Sequence, residues 1–198
     1  GRELARKVHR CGARLTVLGR NADDVQSAID ELNRQRPDSA TGISVDLGDE
    51  QDRKRVVREV LDKQSRVDVW INAVGQSIRT DFRQATLTDY RRLMEQNFFV
   101  SAGCSMEILP TLEKSHGHLI NIGSLAAKTA WPFVAPYVTS KHALAGFAHQ
   151  LRIEGPDNVH YLFVCPGPIR SGRPVERYAE QTGGLPDKAR QRDVHRED

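Results

Sequence analysis

The chain has 198 residues, the length of one domain, and an apolar share of 38% that can build a core and excludes long disorder. The formal net charge is +3, and basic and acidic residues are interleaved, so nucleic-acid binding is not expected. No run reaches the about 18 uncharged apolar residues of a membrane span, and no secretory leader opens the chain. We therefore expect a cytoplasmic protein.

Apolar residues alternate between helical and strand spacing along the chain. In chain order, this predicts helix 4–11, strand 13–18, helix 25–32, strand 41–46, helix 56–61, strand 67–71, helix 88–114 with a bend near Pro110, strand 118–122, helix 137–154 and strand 159–165. Strands separated by helices of this length pair in parallel. The predicted fold class is α/β, a doubly wound parallel sheet in three α/β/α layers, known as a Rossmann fold.

The domain organisation follows from the distribution of apolar residues. Residues 1–170 carry all of the predicted strands and are expected to form one domain. Beyond Arg170 apolar residues are sparse, so residues 171–198 are predicted to be a substrate-side flap or mobile tail of the same domain.

Cysteines and histidines give no sign of a metal or disulfide framework. Cys11, Cys104 and Cys165 have no C-x-x-C spacing and are predicted to be reduced thiols in the core. His116 and His118 have the spacing of a ligand pair, but no third ligand is near them in sequence. No metal site is predicted.

Doubly wound sheets bind ligands at the carboxyl ends of their strands, so the residues there are the candidates for function. They are Gly19-Arg20, Asp46-Leu47, Asn72-Ala73-Val74-Gly75, Gly123-Ser124 and Pro166-Gly167. Tyr137 and Lys141 follow, four residues apart on a predicted helix, a pairing that is weak when considered alone.

Together these residues resemble the short-chain dehydrogenase/reductase family over about residues 1–170. The resemblance consists of Asp46, the N-A-x-G turn at 72–75, Asn97 on the long helix, Ser124 13 residues before Tyr137, Lys141, and the P-G turn followed by Ile169. It implies an oxidoreductase that interconverts a ketone or aldehyde and an alcohol by hydride transfer.

The resemblance also implies roles for four catalytic residues. Tyr137 would be the acid/base; a phenol of pKa ~10 is a poor proton shuttle at neutral pH, and a lysine one helical turn on favours the phenolate. Lys141 would also hold the nicotinamide ribose. Ser124 would hydrogen-bond the substrate oxygen, and Asn97 would support a water that links Lys141 to solvent.

The expected cofactor is NADP(H) rather than NAD(H). The second strand of the family ends here at Arg20, without a carboxylate at that position, and arginine accommodates the 2′-phosphate. The alternative is that Arg20 is a surface residue and that Asp23 or Asp24 reaches the ribose. The cofactor-binding residues implied are Gly1, Arg20, Asn21, Asp46, Leu47, Asn72, Ala73, Val74, Gly75, Tyr137, Lys141, Pro166, Gly167 and Ile169.

One feature departs from the family pattern. The family begins with a strand and a glycine-rich turn that holds the pyrophosphate, and here Gly1 matches only the last glycine of that turn. That strand is central in the family's sheet. We therefore expect roughly 10–20 further residues upstream, with a strand of the usual ~5–6 residues, and a gap in the sheet between the strands at 13–18 and 67–71.

Substrate identity is open at the level of sequence. Ser124, Gln76, Trp131 and Tyr137 are the predicted substrate contacts, and the apolar loop around Trp131 suggests a lipophilic or acyl substrate. Packing against a second subunit explains that loop equally well. Two rival functions are a nucleotide-sugar epimerase or dehydratase of the same superfamily and a nonenzymatic dinucleotide-binding sensor or scaffold.

Assembly into a homodimer or homotetramer is expected through the helices 88–114 and 137–154. Phe98, Phe99 and Val100 are adjacent on one helix and cannot all face the sheet. Packing of these side chains within the subunit is the alternative.

Overall fold

The computed structural model describes residues 1–168 and Leu185. These residues contain five parallel strands: β1 (Leu15–Gly19), β2 (Ala40–Ser44), β3 (Val69–Asn72), β4 (His118–Ile122) and β5 (His160–Val164). The helices between and around them are α1 (Arg2–Arg10), α2 (Ala22–Gln35), α3 (Glu50–Gln64), α4 (Leu87–Met94), α5 (Val100–Ser115) and α6 (Ala135–Glu154). The predicted α/β fold class is confirmed.

The strands form two hydrogen-bonded groups rather than one continuous sheet. β1 pairs with β2, and β4 lies between β3 and β5, all in parallel register. Within the described residues, β1 and β3 do not pair with each other. This is the position at which the sequence predicts a gap.

The two strand groups share one apolar core, which crosses the gap in the sheet. The core contains Ile43 of β2, Val56 of α3, Ile108 of α5 and Leu119 of β4, and the last three of these are completely buried. Because α3 connects β2 to β3 and packs against α5, side-chain contacts link the two strand groups within the part of the chain that the structure describes.

The long helix predicted for 88–114 is interrupted at a different place from the one expected. Its α-helical hydrogen bonding is broken by a π-helical turn, Glu95–Phe99, between α4 and α5, whereas α5 continues through Pro110. The sequence predicts a bend near Pro110 because proline removes a backbone donor. The π turn inserts an extra residue instead, and single π turns of this kind are frequent at functional sites.

The expectation that all three cysteines lie in the core is wrong for two of them. Cys104 is buried on α5, and burial raises the pKa of its thiol to about 11. Cys11 is exposed because it follows the last turn of α1, and Cys165 is half-buried just after β5. No helix in residues 1–168 is both long enough and apolar enough to cross a bilayer.

Candidate active site

The carboxyl ends of β4 and β5 are joined by backbone hydrogen bonds. The Gly123 amide donates to the Val164 carbonyl at 2.7 Å, and the Leu125 amide donates to the Pro166 carbonyl at 3.0 Å. The turn that carries Ser124 is therefore held against the Pro166-Gly167 turn. Two segments far apart in sequence meet at one edge of the sheet, as the strand-end argument predicts.

Asn97 lies in the π turn and is completely buried. Its Oδ1 accepts the Gln76 backbone amide at 2.7 Å, and its Nδ2 donates to the Gln76 carbonyl and to Ser140 Oγ, both at 2.9 Å. The side chain thus links the segment after β3 to helix α6. Asn97, which is predicted to be catalytic, thus bonds three groups: the Gln76 amide, the Gln76 carbonyl and the Ser140 hydroxyl.

Lys141 reaches from α6 to the end of β4. Only 4% of its surface is exposed, and its Nζ donates to the Ile122 carbonyl at 3.0 Å. Burial lowers the pKa of the ammonium to about 8, against a smaller opposing effect of the nearby Cys165 thiol. The ammonium lies 6.0 Å from the ring centroid of Tyr137, so the predicted Tyr–Lys pair shares one region of the site.

Gly75 lies at the edge of the site, next to Asn97 and Lys141, and has no side chain. A Cβ at this position would lie 3.1 Å from Asn97 Oδ1 and 3.4 Å from Lys141 Nζ. The distance to Asn97 is tighter than ordinary van der Waals contact, and the distance to Lys141 is at its lower end, so the glycine lets the backbone approach both residues. Ala73, Val74 and Gly75 are exposed, so their backbone forms an open surface at the end of β3.

Ser124 caps the short 3₁₀ turn Leu125–Ala127 after β4. Its Oγ accepts the Ala126 amide at 3.1 Å. Because this bond uses a lone pair of the oxygen, the hydroxyl hydrogen can still be donated to a substrate oxygen. The cap also orients the side chain, since it fixes Oγ relative to the backbone of the turn.

The Asn72 side chain faces away from the open surface. Its Oδ1 accepts the indole N–H of Trp70 at 2.8 Å, and its Nδ2 donates to Ser105 Oγ and Asn121 Oδ1, both at 2.9 Å, and to the Ser101 carbonyl at 3.2 Å. This buried network ties β3 and β4 to α5. Asn72 is predicted to bind the cofactor. Because its side chain is engaged in this network, only its backbone is available for that role.

The ends of β1 and β2 carry four of the residues predicted to bind the cofactor, Arg20, Asn21, Asp46 and Leu47. Arg20 is exposed, and its backbone carbonyl accepts the Ser44 hydroxyl at 3.1 Å. Asn21 caps α2 by accepting the Asp24 amide at 2.8 Å, so its side chain has a local structural role.

Asp46 and Leu47 follow β2 in the same region. Asp46 is exposed, and its carboxylate accepts the Gly48 amide at 3.0 Å. Leu47 is buried, and its carbonyl accepts from Arg53 at 2.8 Å. These bonds fix the turn after β2, with the Asp46 side chain on its surface.

The segment after Gln76 meets the loop around Trp131, so two of the predicted substrate contacts lie on neighbouring segments. The Thr80 amide, in the segment after Gln76, donates to the Phe133 carbonyl at 2.9 Å. Phe133 has φ of 61°, a left-handed conformation that is rare for an aromatic residue and occurs most often at binding sites and turns. Trp131, two residues earlier, is half-buried.

Some predicted positions lie outside this description. Ile169 and the 171–198 segment fall outside the described residues, apart from Leu185, which is buried. Gly1 is exposed at the start of α1. No group of three or more metal-ligating side chains occurs among the described residues.

Ser140 was not singled out from the sequence, although it accepts from Asn97 and directly precedes Lys141. A serine is compatible with many surface positions of a helix. Ser140 could have been identified from its position in the same helical turn as Tyr137, directly before Lys141.

Comparison with known proteins gives consistent results. The profile described as short chain dehydrogenase matches residues 1–182. A "Dehydrogenase/reductase SDR family protein 7-like" of Dictyostelium discoideum is 35% identical over 173 residues, covering 84% of this chain and 54% of the relative. A mouse (Mus musculus) "Dehydrogenase/reductase SDR family member 7B" is 32% identical over 184 residues, covering 88% and 56%. The chain spans about half the length of these curated relatives.

Solved structures share the fold. An alcohol dehydrogenase from the archaeon Thermococcus sibiricus, complexed with 5-hydroxy-NADP, has a TM-score of 0.83 at 20% identity and covers 90% of this chain and 79% of that one. A short-chain dehydrogenase from Streptomyces avermitilis has a TM-score of 0.81 at 27% identity, covering 96% and 72%. From the family profile and the relatives, this chain belongs to the short-chain dehydrogenase/reductase family.

Proposed function

We propose that the protein is an NADP(H)-dependent oxidoreductase that interconverts a ketone or aldehyde and an alcohol. The observation that carries the proposal is the buried Lys141 ammonium near the Tyr137 ring, beside the open backbone of Gly75. A desolvated cation next to a phenol is an arrangement suited to proton transfer at near-neutral pH.

The residues present fit a nicotinamide cofactor. The exposed backbone of 73–75 and the absence of a Cβ at Gly75 leave a cradle beside Lys141, which would hold the ribose. The cofactor, when bound, would supply or accept the hydride. Arg20, Asp46 and the Pro166-Gly167 turn would hold the rest of the dinucleotide.

The chain's own residues would handle the proton and the developing charge. In the reductive direction, the Tyr137 hydroxyl gives its proton to the carbonyl oxygen, and the Lys141 ammonium stabilises the phenolate left behind. Ser124 donates a hydrogen bond to the same substrate oxygen. Asn97 links the segment after β3 to α6, the helix that carries Tyr137 and Lys141.

The preference for NADP(H) is supported by Arg20. It is exposed just beyond β1, where its guanidinium would be available to a 2′-phosphate, and its backbone carbonyl accepts the Ser44 hydroxyl. Two solved neighbours carry related dinucleotides, 5-hydroxy-NADP in the T. sibiricus enzyme and NADP in ElxO. Asp23 and Asp24, in the first turn of α2, support the NAD(H) alternative.

We also propose a homo-oligomer and an apolar substrate. Leu87, Tyr90, Met94 and Phe99 line an apolar groove on α4 and the π turn, and the Leu87 side chain is 71% exposed. A second subunit would cover this groove. The loop around Trp131 and Phe133 would provide an apolar wall for the substrate.

The central test replaces the proposed acid/base. Tyr137→Phe should lower the turnover of NADPH-dependent carbonyl reduction by orders of magnitude while NADPH still binds, because only the chemical step loses a group. The control is Tyr161→Phe, which removes a half-buried hydroxyl on β5 and should leave turnover near that of the parent protein. Near-normal turnover in Tyr137→Phe would refute the mechanism.

A further inference from the structure

Ser140 is completely buried on α6, between the two residues proposed to carry the proton chemistry. Its Oγ accepts a hydrogen from Asn97 Nδ2 at 2.9 Å and donates its own to the Tyr137 backbone carbonyl at 2.8 Å. The hydroxyl therefore joins the π turn to the turn of α6 that begins with Tyr137.

The hydrogen-bonding capacity of the Asn97 amide explains why this contact matters. An amide group has two hydrogens; one goes to the Gln76 carbonyl, and the other goes to Ser140. Its oxygen accepts the Gln76 amide. Gln76 sets which way the amide faces, because a flip would place donor against donor there, and Ser140 supplies the acceptor for the remaining hydrogen.

We propose that Ser140 is a positioning residue of the active site, which holds Asn97 and the segment after β3 in register with Tyr137 and Lys141. The inference rests on the proposed function for its kinetic consequences, whereas its structural content concerns the orientation of Asn97. The margin is small, since a Cβ on Gly75 would already lie 3.1 Å from Asn97 Oδ1. A shift of Asn97 would therefore move the backbone of Gly75, which is proposed to border the cofactor.

The chain contains a matched comparison in Ser105. It too is completely buried on a helix, accepts an asparagine Nδ2 at 2.9 Å, and donates to a helix carbonyl, that of Ser101, at 2.7 Å. Its partner Asn72 belongs to the buried network that ties β3 and β4 to α5. The variants Ser140→Ala and Ser105→Ala thus remove the same chemistry from two places, of which only one touches Asn97.

The experiment measures the exchange of amide hydrogens by NMR in the whole chain. Ser140→Ala should speed exchange of the Asn97 side-chain amide at least about tenfold, because its Nδ2 has lost an acceptor, and should also speed exchange of the Gln76 amide, because the Asn97 oxygen that accepts it is held less firmly. Ser105→Ala should leave both rates unchanged. If Ser140→Ala unfolds the protein, Ser140→Cys, with a weak sulfur acceptor, should give the same increase. Unchanged rates in the folded variant, or equal increases in both serine variants, would overturn the proposal.

Kinetics give the second measurement, with NADPH and benzaldehyde as probes. Ser140→Ala should lower kcat about tenfold or more with little change in KM and should alter the pH profile of kcat, and Ser140→Thr should restore both. Loss of kcat without a change of profile, matched by Ser105→Ala, would reduce Ser140 to a structural role and overturn the proposal. If Tyr137→Phe turns over as fast as the parent protein, the proposed function fails, and the exchange measurement still decides the role of Ser140.

Discussion

Replacing Lys141 by methionine should change the pH dependence of stability in a way that can be calculated. Burial lowers the pKa of Lys141 from the ordinary 10.5 to about 8. Between these two values the unfolded chain holds a proton that the folded protein has released. Stability therefore rises with pH across this window, and the cost of burying the ammonium is fully present below about pH 8.

The size of the effect follows from the pKa difference. At ~1.4 kcal/mol per pH unit, the displacement from 10.5 to about 8 amounts to about 3 kcal/mol. Lys141→Met keeps the length of the side chain and removes the titration, but leaves the Ile122 carbonyl without this donor, at a cost of about 1–3 kcal/mol. The two contributions nearly cancel at neutral pH. The pH dependence does not cancel, because the carbonyl does not titrate.

The assay is urea unfolding at several pH values between 7 and 10.5. The parent protein should gain about 3 kcal/mol relative to Lys141→Met over this range. Lys114→Met, which removes an exposed lysine of α5, controls for the loss of one positive charge. Parallel curves for the parent and Lys141→Met would show that the ammonium is not desolvated, and the argument for its role in proton transfer would fail with it.

Three further predictions concern other parts of the molecule. Arg20→Ala should weaken NADPH binding far more than NADH binding in a fluorescence titration, and equal losses would mean that Arg20 only shapes the turn. Gly42→Ala should destabilise the protein by ~1–3 kcal/mol in urea unfolding, because a Cβ would overlap Ile29 Cδ1. Gly146→Ala, on an open face of α6, should instead stabilise it by about 0.5–1 kcal/mol. Equal effects of the two substitutions would contradict the packing argument. Leu87→Asp should convert an oligomer to monomers in light scattering, and a monomeric parent protein at micromolar concentration would rule out the groove on α4 as a contact between subunits.

Periodicity predicts most of this fold because the strands are short apolar runs and the helices have one apolar face. The strand at 118–122 agrees with the structure at both ends. The π turn at Asn97 escapes such an argument, since one inserted residue barely changes a helical pattern. Its cause is tertiary, because the hydrogen bonds of Asn97 go to Gln76 and Ser140 on other segments.

The candidate site shows the same division between local and tertiary information. Strand-end reasoning identifies the 72–75 turn, but it cannot separate backbone from side chain. In the structure the Asn72 side chain forms hydrogen bonds with Trp70 and Asn121, and the next three residues are exposed. The burial of Lys141 likewise depends on Ile122 and on the packing of α6, which no spacing within one helix specifies.

The division of the strands into two groups has a consequence for cooperativity. β1, α2 and β2 form a unit with mostly local contacts, and β3, β4 and β5 form a second one. Within the described residues, the units are coupled by the apolar contacts of α3, among them those of Val56. Shortening Val56 should therefore weaken the cooperativity of unfolding between these two units of the described residues, because it removes apolar contacts from the cluster that both units share.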